Sequence, residues 1–133
     1  MSTTSLAQAR VRRNGIISEH YASVMFDIDV STKALIDGEY GGKPIEVKSC
    51  QARITDRSRH SGTRKGRFLI QRLQYARLLK EDGSFIFIVL DSKGKVLLAR
   101  VVSARNLEAF FPVKEAGTTQ IPWNKIFPEA LYE

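Results

Sequence analysis

Residues Ala34 to Cys50 read ALIDGEYGGKPIEVKSC, two short apolar stretches on either side of Gly41-Gly42. Paired glycines accept the positive backbone angles of a tight turn, so the stretch predicts antiparallel strands over 33–37 and 43–50. Side chains alternate along a strand, which sends Ile45 and Val47 into a core and leaves Glu46 and Lys48 together on the opposite side. With the turn centred on Gly41-Gly42, Asp37 falls opposite Glu46. Two facing carboxylates repel unless a cation lies between them, and a divalent metal ion resolves the conflict. Magnesium suits such a site, since it takes a few carboxylate oxygens and leaves positions for water and a phosphate. Manganese is expected to substitute. Lys48 is then placed to orient metal-bound water or to offset charge on the phosphate. Two alternatives stay open. Asp29, or less readily Asp27, could be the acid in place of Asp37, and Glu46 and Lys48 could be the solvent face of an edge strand.

Working outward, Arg10 to Phe26 predicts a helix with Ile16, Ile17, Tyr21, Val24 and Met25 on its apolar face. Residues 26–30 alternate and read as a short strand or a connection. The polar stretch Gln51 to Gly66 predicts a long loop, and Arg67 to Lys80 an amphipathic helix that stops before Gly83. Ser84 to Asp91, SFIFIVLD, is apolar almost throughout, as a central strand should be, and Lys95 to Val102 predicts another after the turn at Ser92-Lys93-Gly94. Asn106 to Phe111 predicts a short helix ended by Pro112, and the tail holds Ile121-Pro122-Trp123 and a closing helical turn. This order describes an α/β fold, a central mixed β-sheet flanked by helices, in a single domain over 1–133 whose first nine residues are expected to be mobile.

The net charge of +7 is concentrated in two runs. Arg10, Arg12 and Arg13 form one; Arg53, Arg57, Arg59, Arg64, Lys65, Arg67 and Arg72 form the other, with His60 among them. Arginine forks bind phosphate oxygens in pairs, so the runs point to a polyanion. No apolar run approaches the length of a membrane span, no secretory leader is visible, and the lone Cys50 suits a reducing interior, from which an intracellular, cytoplasmic location is expected.

Asp37 followed by Glu46-Val47-Lys48 resembles the D...(D/E)xK signature of the PD-(D/E)XK nuclease superfamily, although Ile36 stands where that signature has proline. The resemblance runs from about Gly15 to Val102 and implies a restriction-endonuclease-like core. It further implies a magnesium-dependent endodeoxyribonuclease in which Asp37 and Glu46 hold the metal and Lys48 assists the chemistry. In its Holliday-junction resolvase members a glycine precedes by four residues a glutamate that nears the metal, a pattern Gly15 and Glu19 match. The resemblance also implies a polar glutamine on the second helix, for which Gln71 is the candidate. It implies duplex or branched DNA as partner and a homodimer cutting two strands, with a small type II restriction-type endonuclease as the alternative. A DNA-binding protein that keeps the fold without catalysis is the competing class, and RNA binding is less supported for want of an aromatic-rich strand.

Overall fold

The computed structural model describes residues 3–25, 29–30, 38–40, 42–56, 58, 60, 62–111 and 117–130, with the side chains of 3–8, 10–11, 29–30 and 38–40 left out of that description. Helix α1, Thr3–Met25, is followed by strands β1, Asp29–Val30, β2, Gly38–Tyr40, and β3, Lys43–Gln51. Then come β4, Arg53–Thr55, β5, Thr63–Lys65, β6, Arg67–Gln71, and helix α2, Arg72–Lys80. Strands β7, Ser84–Leu90, and β8, Val96–Ser103, precede a 3-10 helix at Ala104–Phe110, strand β9, Thr118–Pro122, and a final helical turn α3, Trp123–Ile126.

Among the described residues the main sheet has five strands in the order β1-β2-β3-β7-β8, with β3 parallel to β7 and every other pair antiparallel. It is a mixed sheet with helices packed on it, as expected. Strand β7 shows why the core is stable: Phe85 through Leu90 are all fully buried, because both faces of the strand are covered. Phe85, Phe87 and Val89 join Phe68, Ile70, Leu78 and Trp123 on one face. Ile86, Ile88 and Leu90 join Ala22 and Ile45 on the other, where Ile17, Tyr21 and Val47 complete the layer. The period-two alternation of a strand thus divides one apolar run between two cores.

Tyr40 pairs with Lys43, so the hairpin closes through positions 41–42, and Gly42 takes a φ of 78° there. The strand expected over 33–37 lies outside the described residues. The short strand reading of 26–30 holds for Asp29–Val30, which pairs with Glu39 and Gly38.

Several expected elements differ. Helix α1 starts at Thr3 rather than Arg10 and turns Asn14, Ser18 and Ala22 inward, while Ile16, Val24 and Met25 stand exposed. Ser18 and Ala22 lie on the packed face with the half-buried Ile17 and Tyr21, whereas Ile16, Val24 and Met25 fall outside that contact. Residues 51–66 are not a loop throughout: β4 and β5 form a two-stranded ribbon closed by the Asp56 amide donating to the Gly62 carbonyl. A ribbon this polar leaves no hydrophobic alternation to detect. The segment 67–71 is strand β6, paired with β9, and only 72–80 is helical. Phe68 and Ile70 are fully buried with Leu69 exposed between them, a period of two that the following helix had masked. The helix near Asn106 begins at Ala104 and is 3-10 in form.

Gly66 sits where the ribbon meets β6. A β-carbon there would lie 1.9 Å from the Gln51 carbonyl oxygen, so only glycine lets the two backbones cross. The Gly66 amide donates to Ala52 O, its carbonyl accepts from the Trp123 amide, and the Trp123 indole Nε1 donates to Ala52 O at 2.8 Å. Trp123 is thereby a core residue that locks the ribbon to the domain.

Candidate active site

Strand β3 is flanked by β2 and β7, so it is interior, and the edge-strand reading of Glu46 and Lys48 does not hold. Ile45 faces α1, and Glu46 and Lys48 lie on the other side, against α2. There Glu46 is buried, 4% exposed, with its Oε1 at 3.7 Å from Lys48 Nζ. A carboxylate taken out of water at this depth needs a compensating charge and hydrogen bonds, and Lys48 supplies the charge.

The hydrogen bonds come from Gln74. Its Nε2 donates to Glu46 Oε1 at 3.2 Å, and its Oε1 accepts from Lys48 Nζ at 2.8 Å. One neutral amide therefore matches both charged partners, with a donor toward the anion and an acceptor toward the cation. Helix α2 presents Gln74 because it buries Gln74, Tyr75 and Leu78, and Tyr75 stacks on Phe111 with ring centroids 3.9 Å apart. Gln71 is not on the helix. It closes β6 as an exposed residue just before α2, and the glutamine that reaches the acid and the amine is Gln74. QRLQY holds both glutamines, and which of them faces β3 depends on where the helix begins, which is Arg72 and not Arg67.

Glu19 is half-buried on α1. Asp37 and Asp27 lie outside the described residues. Asp29 belongs by its backbone to β1, with β2 between it and β3. Among the described residues no group of three or more His, Cys, Asp and Glu side chains is gathered closely enough to hold a metal ion. The donor set that is described fits one corner of such a site: a single buried carboxylate of hard oxygen, held in place, beside an amine.

Cys50, two residues beyond Lys48 on the same side of β3, has its thiol pushed up to about 12 by burial. It stays protonated near neutral pH, which does not suit a nucleophile.

The basic residues sort into groups. Arg53, Arg64, Lys65 and Arg67 share a groove of about 290 Å³ with Thr63, Pro122 and Asn124, where the ribbon meets β6. Arg64 and Arg67 also border a second cavity, of about 440 Å³, whose wall includes Lys48. These two arginines connect the basic groove to the cavity that Lys48 lines. Arg64 Nε lies 3.5 Å from Asp56, and Arg67 Nη1 donates to Gln120 Oε1 at 3.1 Å, which hold both guanidiniums in place. His60 is exposed in the turn of the ribbon. Arg12 and Arg13 are exposed on α1, where Arg13 Nη2 donates to Asn14 Oδ1 at 3.2 Å and to Ser92 O at 3.3 Å, and Arg72 is half-buried at the start of α2; none of them lines that groove. Arg57 and Arg59, and the side chain of Arg10, lie outside the described residues.

Among the described residues no helix is long and apolar enough to cross a membrane. No curated protein matches the chain. The family model of the PD-(D/E)XK nuclease superfamily domain, whose nucleases typically use divalent metals and take nucleic acid as substrate, matches residues 5–128. With nearly the whole sequence covered and the acid and amine of Glu46-Val47-Lys48 side by side on an interior strand, the chain belongs to the PD-(D/E)XK nuclease superfamily.

Proposed function

We propose that this protein is a magnesium-dependent endodeoxyribonuclease, with manganese able to substitute, that acts on DNA of branched structure as a homodimer in an intracellular setting. The observation that carries the reading is Gln74 bonded to both Glu46 and Lys48, with Lys48 also lining a cavity bordered by Arg64 and Arg67. Glu46 with Asp37 and Glu19 would hold the ion. In support of Asp37 over Asp29, the pairing of Gly38 with Ile45 is the register that a partnership of positions 37 and 46 requires, whereas β1 is one strand further out.

Such an ion supplies, when bound, a more acidic water and a counter-charge for phosphate oxygens. The protein's part is positional. Lys48 has three N–H groups, of which Gln74 accepts one, so the ammonium keeps donors for a phosphate oxygen as negative charge develops on it. Gln74 keeps Lys48 from collapsing fully onto Glu46. Arg53, Arg64, Lys65 and Arg67 hold the backbone without reading sequence, with Arg57, Arg59, His60 and Arg72 of the same run and Arg10, Arg12 and Arg13 as outlying contacts.

The test incubates the protein with continuous duplex, single-stranded and four-way junction DNA, with magnesium, with manganese and with chelator, alongside Glu46→Gln and Lys48→Ala. Metal-dependent cleavage, strongest on the junction and absent in both variants while binding persists, is the expected result. Cleavage by both variants at the unmodified rate would remove this site from the chemistry. Binding without cleavage of any substrate would favour a non-catalytic DNA-binding role, and cleavage confined to one duplex sequence a restriction-type enzyme.

A further inference from the structure

The cavity of about 440 Å³ beyond Lys48 has wall features that the fold itself does not use. Leu69 lines it and is 54% exposed, although its neighbours Phe68 and Ile70 are fully buried. Gln51 lines it too; it is only 8% exposed, and among the described residues its Nε2 has no hydrogen-bond partner. An apolar surface left to water and a buried amide left unsatisfied each cost free energy. Both costs are relieved by an occupant with a flat apolar face and accepting oxygens or nitrogens. Rotation about the terminal torsion of Gln51 can bring its amide to such an occupant. The remaining wall is rich in cationic donors, Lys48, Arg64 and Arg67, which adds a requirement for negative charge. A nucleotide has all three properties. The volume lies in the range of small-molecule pockets, so one nucleotide enters where a stacked base pair does not.

We propose that this cavity seats one unpaired nucleotide of the strand to be cut, its base against Leu69 and Ile54, its polar edge on Gln51 and its phosphate on Arg64 and Arg67. The assignment rests on the nuclease reading above and adds a substrate class: DNA with an unpaired nucleotide beside the scissile bond. Extracting a nucleotide from continuous duplex costs unstacking and unpairing energy, which a bulge, a branch or a single strand has already avoided.

The experiment measures calorimetric binding of a thymidine bisphosphate and of thymidine in chelator, for the unmodified protein, Leu69→Asp and Gln51→Met. It is paired with competition between a duplex carrying one unpaired nucleotide and the same duplex without it. The bisphosphate should bind about tenfold or more tighter than thymidine, and each variant should lose about tenfold of that binding. The unmodified protein should prefer the bulged duplex by about tenfold, and Leu69→Asp should abolish most of that preference. Because Leu69 is exposed, its variant folds even if Gln51→Met does not, as circular dichroism will establish. Unchanged bisphosphate binding in folded Leu69→Asp overturns the proposal, as does equal affinity for the two duplexes. Metal-dependent cleavage accompanying either result leaves the nuclease reading intact, whereas nucleotide binding lost in the variants without cleavage of any DNA supports the pocket and overturns the nuclease reading.

Discussion

Lys48 Nζ donates to Gln74 Oε1 at 2.8 Å, across the gap between the interior strand β3 and helix α2. The other end of the same amide donates to Glu46, so a single uncharged side chain sets the separation of a buried acid and a half-buried amine. Replacing Gln74 by leucine keeps most of the volume and removes both contacts. Single-turnover cleavage should slow by about 10–100-fold, as for residues that orient metal ligands. Urea unfolding should report a loss of about 1–3 kcal/mol, the cost of removing one hydrogen bond each from a buried carboxylate and a half-buried amine.

Arg64 and Arg67 border both the basic groove and the cavity that holds Lys48. If each contacts a phosphate, the double variant Arg64→Gln, Arg67→Gln should bind DNA more weakly and lower the slope of log K against log salt by about 2. Fluorescence anisotropy over a salt series measures this. An unchanged slope would place the DNA elsewhere on the protein.

Gly66→Ala should destabilise the domain by about 3 kcal/mol or more, because the added carbon has no room beside the Gln51 backbone and nearby backbone must move. The loss should appear in thermal melting, with the ribbon amides of β4 and β5 gaining hydrogen-exchange rate first. That ribbon is joined to the domain through Gly66 and Trp123.

Burial raises the Cys50 thiol from 9.0 to about 12. A group whose pKa is higher folded than unfolded contributes stability that is complete below the unfolded value and is lost as pH rises toward the folded one. Stability should therefore fall between pH 9 and about pH 12, and Cys50→Ser should flatten that part of the curve. Iodoacetamide should alkylate the native protein far more slowly than the urea-unfolded chain at pH 8, since the thiolate is the reactive form. Equal rates would show that the thiol is not sequestered.

Much of the candidate site was legible locally. The alternation in PIEVK assigns Glu46 and Lys48 to one side, and Gly42 lies in the hairpin between Tyr40 and Lys43 with a positive φ. Those inferences need only neighbours in the chain. Gln74 was not legible, because Gln71 and Gln74 differ by less than one helical turn and β6 ends where the helix was expected to be under way. The ribbon β4–β5 escaped for a related reason: its residues pair through backbone amides and carbonyls, which every sequence possesses.

The amino-acid sequence by itself determined an α/β chain with a basic stretch and an acid and an amine two residues apart on one strand. Composition, charge and short-range periodicity carry that information. Only the tertiary structure decided that β3 is interior, that β6 pairs with β9 from a distant part of the chain, that Gln74 meets Lys48, and that the two arginines share a cavity wall with it. Such pairings are set by which surfaces bury together once the chain has closed on itself, and residue spacing does not encode that choice.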